Sequence, residues 1–170
     1  MPAHRRSSSP GPHRPAHENP SPAPRPMKNI LRIHVEFGDC DPSGIAFHPN
    51  FFAWFDAGSR HFLRAAGMPH WRETQHTSGI IGTPIVATQC DFRLPCRYGD
   101  EIEVHTSVEE WRERSFVLRH ELRRGDDLLA TATGVRIFAI RHPDDPGRIR
   151  AVPPPPGIRA ACDAPGITYG

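Results

Sequence analysis

Two aspartates one residue apart, Asp39 and Asp41, sit in the segment Glu36-Phe37-Gly38-Asp39-Cys40-Asp41-Pro42-Ser43-Gly44, a few residues ahead of His48-Pro49-Asn50. Proline suits the first position of a helix, where its missing N–H costs nothing. Pro49 therefore places both carboxylates just upstream of a helix N-terminus. Such a terminus presents unpaired N–H donors and the positive end of a dipole. Those donors can hold a carbonyl oxygen as it becomes an oxyanion. A carboxylate beside them can attack the carbonyl carbon, or deprotonate a water that does. This is the equipment of acyl transfer. The bland alternative is that both aspartates are turn and capping groups, since Asp-Pro-Ser-Gly is good turn chemistry.

Other candidates are weaker. Asp56 lies at the edge of an apolar helical arc, where an unpaired buried carboxylate is costly. It either pairs with Arg60 at i+4 or accepts a hydrogen bond from a polar substrate group. Trp111-Arg112-Glu113-Arg114-Ser115, with Arg148 and Arg150, forms either a basic rim suited to phosphate groups or an ordinary solvated turn. Cys40, flanked by two carboxylates, is a poor setting for a thiolate nucleophile. Several of the eleven histidines fall in the first 27 residues, and none forms H-E-x-x-H. There is no G-x-S-x-G elbow, G-x-G-x-x-G or P-loop. No metal, nucleotide or other cofactor is indicated.

The elements that must position these residues follow from patterning. The 170-residue chain is long enough for one domain with a real core. Residues 1–27 carry Arg5, Arg6, Arg14 and Arg25 against Glu18 alone. With the whole chain at +2, the remainder is close to neutral. The basic charge belongs to this leader, which argues against a nucleic-acid-binding core. The leader is rich in Arg, Ser, Pro and His and is expected to be disordered. It lacks the apolar core of a signal peptide, and its proline density opposes the amphipathic helix of a transit peptide. Met27 is read as an alternative start. No stretch is apolar enough for a membrane span. Four cysteines without a C-x-x-C pair are expected to be reduced thiols in a cytoplasmic protein.

Ile30 to Phe37 alternates apolar and polar residues and predicts a strand. A loop follows over Gly38 to Gly44. A helix is expected from about Asn50 to Ala66, ending at Gly67 with Pro69 beyond. Phe51, Phe52, Phe55, Phe62, Leu63 and Ala66 share its apolar arc. Strands are predicted over Gly79–Phe92, Glu101–Trp111, Ser115–Arg123 and Leu128–Ile140, with a short one at Arg148–Val152. Residues 154–170 read as a Pro-rich, poorly ordered tail. The domain at 28–153 is thus α+β, an antiparallel sheet of about five strands around one long helix.

Val35-Glu36-Phe37-Gly38-Asp39-Cys40-Asp41-Pro42-Ser43-Gly44-Ile45 resembles the opening motif of 4-hydroxybenzoyl-CoA thioesterases of the Pseudomonas type. The resemblance continues through Pro49-Asn50, Trp54, Asp56-Ala57, Ser59-Arg60 and Trp71-Arg72. Gly82-Thr83-Pro84-Ile85-Val86, Glu110-Trp111-Arg112 and Ser115-Phe116-Val117 extend it, and it ends near Arg148 to Pro153. It implies a hotdog fold, paired subunits that assemble as a tetramer, and cofactor-free hydrolysis of an aromatic acyl-CoA thioester. It implies Asp41 as nucleophile or general base and the backbone N–H of His48, where the family has Tyr, as the carbonyl-polarising donor. Asp56 is implied to receive a hydroxyl on the substrate ring, with Phe47 and Thr83 lining the acyl site. Arg112, Arg114, Ser115, Arg148 and Arg150 are implied to meet coenzyme A. Glu113 stands where the family has a basic residue.

Overall fold

The computed structural model describes residues 27–170; the leader lies outside them, apart from Met27. The alternating segment after Met27 forms β1, Lys28–His34. A long helix, α1, spans His48–Ala65, with Pro49 in its first turn. It stops where Gly67 turns to a φ of +87°, a left-handed conformation open to glycine at no steric cost. A short helix that patterning did not foretell, α2, follows at Trp71–Thr77.

Then come β2 (Ile80–Gly82), β3 (Ile85–Phe92), β4 (Glu101–Trp111), β5 (Phe116–Arg124), β6 (Asp127–Arg136), β7 (Phe138–Arg141) and β8 (Ile149–Val152). The single strand expected over Gly79–Phe92 is broken at Thr83-Pro84, since proline has no N–H for a ladder. The strand expected over Leu128–Ile140 breaks opposite it, where the Ile137 N–H turns to the Pro84 carbonyl at 3.2 Å. These facing breaks divide the strands between two sheets. The large one runs β3-β6-β5-β4-β1 with every neighbour antiparallel, and the small one runs β2-β7-β8.

The tail expectation is corrected. Residues Pro156–Asp163 form a helix, α3, and Ile167–Tyr169 form β9, which pairs parallel to β1. Pro155 and Pro156 preset the φ of a helix start. Ile158 and Cys162, one helical turn apart, both enter the core. The proline run favours this helix start rather than an extended, solvated segment.

α1 lies across the concave face of the large sheet, burying Phe51, Trp54, Phe55, Phe62 and Leu63. Phe52, assigned to the same arc, is 37% exposed. The helix comes close because residue 58 is glycine. A Cβ there would stand 2.7 Å from the Val104 Cγ1 and 2.9 Å from the Thr106 hydroxyl, on two fully buried strand residues. Overpacking of this kind costs about 1–3 kcal/mol. Gly58→Val is therefore expected to lower the thermal midpoint by several degrees, and an unchanged melt would show that α1 rides higher on the sheet than this contact requires.

Candidate active site

The two aspartates of the opening loop do different work. Asp39 closes a tight turn over Phe37–Asp39, its carboxylate accepting the Glu36 N–H at 2.9 Å. Its carbonyl accepts the Phe47 N–H and the Asn50 side-chain amide, each at 2.8 Å. The capping description thus fits Asp39, which ties the loop to the start of α1. Asp41 sits at the next bend, where its backbone exchanges hydrogen bonds with Ile45 and Gly44. Its Oδ1 accepts the Ser43 N–H at 2.8 Å and the Ser43 hydroxyl. Oδ2 has no partner among the described residues.

The Ser43 hydroxyl, then the Ser43 N–H, hold the Asp41 carboxyl below the usual carboxylate range, and the charge of nearby His48 adds to this. Hydrogen bonds to the charged form explain the direction. Asp41 borders an open hollow of about 510 Å³, where Phe37 and Tyr98 meet edge-on at 6.1 Å.

His48 is the first residue of α1, so its N–H has no acceptor within the helix. Pro49 has no N–H, and that of Asn50 is spent on the Phe47 carbonyl at 2.9 Å. The His48 amide is therefore the donor that the helix start leaves over. Beside it lies a second, largely apolar hollow of about 320 Å³, walled by Phe51, Phe92, Leu94 and Pro95. Phe47 is half-exposed, its ring edge-on to the His48 ring at 5.1 Å.

Asp56, in the middle of α1, does not pair with Arg60. Arg136, at the end of β6, reaches under the helix and donates from Nη2 to Asp56 Oδ1 at 2.7 Å. Its Nη1 donates to the Thr83 carbonyl at 2.9 Å. Long-range geometry overrides the i+4 expectation because β6 ends directly beneath this turn of the helix. Asp56 and Thr83, singled out separately in the sequence, are thus joined by one guanidinium.

The basic residues come from two hairpins. Arg112 and Ser115 close the β4–β5 turn through an N–H···O=C bond of 2.8 Å. Arg112 is also held by Glu110 at 2.8 Å, and Arg114 lies 3.4 Å from Glu113. Arg148 and Arg150 are exposed at β8. Phe116 stacks on Phe138 at 5.1 Å, and Phe138 pairs in register with Val152, which links the two hairpins. Among the described residues no group of His, Cys, Asp and Glu is arranged to hold a metal ion.

Three contributors went unnoticed in the sequence. Ser43 was readable, because a hydroxyl two residues after an aspartate is a turn signature. Arg136 was readable too: it falls on the inward parity of β6 with Ala132 and Gly134, an unusual place for a charge. Asn50, which braces the loop through the Asp39 carbonyl, gave no signal beyond its position at a helix start.

A sheet wrapped on one long helix, with an acidic loop just ahead of the helix start, describes a hotdog thioesterase. Residues 35–162 match the Thioesterase-like superfamily, and the chain belongs to that family. It is 41% identical over 137 residues to the 4-hydroxybenzoyl-CoA thioesterase of Pseudomonas sp. (strain CBS-3), covering 78% of this chain and 95% of that one. A crystal structure of that enzyme superposes with a TM-score of 0.74 at 37% identity, over 79% of this chain and 99% of the other. The structure of a gentisyl-coenzyme A thioesterase matches with a TM-score of 0.66 at 30% identity, over 76% and 98% of the two chains.

Proposed function

We propose that this protein hydrolyses an aromatic acyl-CoA thioester, 4-hydroxybenzoyl-CoA or a closely related substituted benzoyl-CoA, to the free acid and coenzyme A. The observation that carries the reading is the Asp41 carboxylate, with one oxygen tied to Ser43 and the other without a partner among the described residues, in the loop that leads into the helix start at His48. The two most similar enzymes reported above act, by their names, on ring-bearing acyl-CoA esters.

In this reading the thioester carbonyl accepts the His48 N–H. Asp41 Oδ2 attacks the carbonyl carbon, the oxyanion is held by the amide, and the C–S bond breaks to release the coenzyme A thiolate. The resulting mixed anhydride is hydrolysed by water, which returns Asp41 and frees the acid. The same carboxylate could instead deprotonate the attacking water, and either role uses the charged form that Ser43 favours. The ring points toward Asp56, which accepts a hydrogen bond from its hydroxyl, with Phe47 and Thr83 beside the acyl group. Arg112, Arg114, Ser115, Arg148 and Arg150 face the phosphates, with guanidinium forks suited to that geometry.

The protein is read as a homodimer, assembling further to a tetramer. β3 ends the large sheet, and among the described residues one side of its backbone has no strand partner. Ile85, Val86 and Phe92 are all about half-exposed along it, and such an edge invites pairing with another chain. Asp56 lies eight residues beyond His48, about 12 Å along the helix axis. Because the site is read as lying between subunits, Asp41 and Asp56 of one subunit need not serve the same substrate molecule. The four free cysteines suit a reducing cytoplasm.

A panel of acyl-CoA esters tests the substrate class. Thiol release should be fastest with 4-hydroxybenzoyl-CoA or another hydroxy- or amino-benzoyl ester, and at least tenfold slower with hexanoyl- or decanoyl-CoA. The side chain of His48, where Tyr stands in the family, is the feature that would favour aliphatic chains, and a preference for them would discard the aryl reading.

A further inference from the structure

We propose that Arg136 is a positioning residue that sets the substrate preference: it fixes Asp56 as an anionic acceptor, with one oxygen offered to a neutral donor on the far end of the substrate ring. The proposal rests on the reading of Asp56 as the group that meets the ring substituent.

The geometry is specific. The Arg136 side chain is only 8% exposed, whereas that of Asp56 is 58% exposed. The cation is therefore the interior partner, and the carboxylate stands at the protein surface. Nη2 takes Asp56 Oδ1 at 2.7 Å and Nη1 takes the Thr83 carbonyl at 2.9 Å, while Nε is buried without a partner. One planar fork thus spans α1 and the break between β2 and β3. A lysine ammonium, a single point charge on a flexible stem, is a poor substitute for that bridge.

Burying a guanidinium with one donor unsatisfied is a poor way to gain stability. The desolvation cost of a buried ion rivals its Coulombic gain, and apolar replacements often do as well. The arrangement makes better sense as a device that holds a carboxylate in one rotamer. Asp56 has no other side-chain partner among the described residues. With Oδ1 taken, Oδ2 remains for a hydroxyl or amino hydrogen. A ring carrying a carboxylate would meet like charge, and an unsubstituted ring would leave the acceptor unpaired, at a cost to binding. Thr83 enters through its carbonyl: a shift at the β2–β3 break would move Arg136 and, with it, Asp56.

The test is the ratio of kcat/KM for 4-hydroxybenzoyl-CoA to that for benzoyl-CoA, measured on each enzyme preparation so that any loss of folded protein cancels. Arg136→Met should lower this ratio about tenfold or more, chiefly by slowing the hydroxylated substrate. Arg136→Lys should lower it by roughly threefold. Asp56→Asn is the reference arm. If it lowers the ratio and both Arg136 variants leave it unchanged, Arg136 is only structural and the proposal is overturned. If Asp56→Asn itself leaves the ratio unchanged, the reading of Asp56 fails and takes this proposal with it. A fall in both substrates by the same factor in the Arg136 variants counts as the structural outcome.

Discussion

Asp41→Asn is expected to lower kcat for the aryl-CoA substrate by at least about 100-fold, with little change in thermal stability. Asparagine keeps the shape of the side chain, and its carbonyl oxygen can still accept from Ser43, so the turn at Gly44 survives. What is lost is the anion at the second oxygen, the atom that must bond to the thioester carbon. An Asp39→Asn variant is the control. Asp39 spends its carboxylate on the Glu36 amide and its carbonyl on the start of α1, so its activity should change far less. An Asp41→Asn enzyme with wild-type kcat would remove the mechanism altogether. The pH dependence carries a sign as well. The Ser43 hydroxyl and N–H favour the charged form of Asp41. The reactive anion therefore persists below the ordinary carboxylate range, and the loss of kcat on acidification should set in only below that range.

Stability should fail at a higher pH than that, because of a different residue. His120 lies on β5 beneath α1, almost fully buried, its ring stacked on Phe55 at 5.2 Å. The Ser59 hydroxyl already donates to the Phe55 carbonyl at 2.8 Å, so at 3.4 Å from His120 it can only accept. Nε2 must therefore carry the proton, and Nδ1 accepts from the Thr106 hydroxyl at 3.0 Å. This neutral tautomer has no place for a second proton. Burial, assisted by the charge of Arg136 and opposed by Asp56, pushes the imidazole down to about 3.

In the unfolded chain the same ring titrates near 6.5. Below that pH the unfolded state binds the extra proton and the folded state refuses it, so stability falls as the pH drops, by about 1.4 kcal/mol per unit. Between pH 6.5 and 4.5 the loss should reach roughly 2–3 kcal/mol. The carboxylates with depressed values, Asp100, Glu103 and Glu121 among them, lose their contribution only at lower pH. Urea melts of the wild type and of His120→Gln across this window separate the two effects. The variant should be nearly flat from pH 6.5 to 4.5, and equal slopes for both proteins would show that His120 is not the source.

Most of the architecture could be read from the chain. Period-two alternation located β1 and β4, and Pro49 and Gly67 bounded α1 to within two residues. These signals are local, and local signals survive folding. What escaped depends on contacts between distant segments. The divisions at Thr83-Pro84 and Ile137 exist because two strands bend together, and only the first carries a local signal, in Pro84. The tail was misread because its prolines outweighed two apolar residues one helical turn apart. At the site, chemistry and motif point to Asp41, and in the fold each aspartate has one carboxylate oxygen engaged, Asp39 with the Glu36 N–H and Asp41 with Ser43. The partner of Asp56 could not be read from the helix alone, since Arg136 is 80 residues away in the chain.

The parallel pairing of β9 with β1 leaves the ends of the described chain as neighbours. Lys28 donates to the Gly166 carbonyl at 2.9 Å, and Gly170 donates to the Ile30 carbonyl at 3.0 Å. Both ends emerge at one margin of the large sheet, on strands four and five places away from β3. An affinity tag or fluorescent protein joined directly ahead of Met27 or after Gly170 would therefore sit on the far side from the β3 edge. A short linker could also splice the two ends into a circularly permuted chain, with new termini opened in an exposed hairpin such as Arg124-Gly125-Asp126.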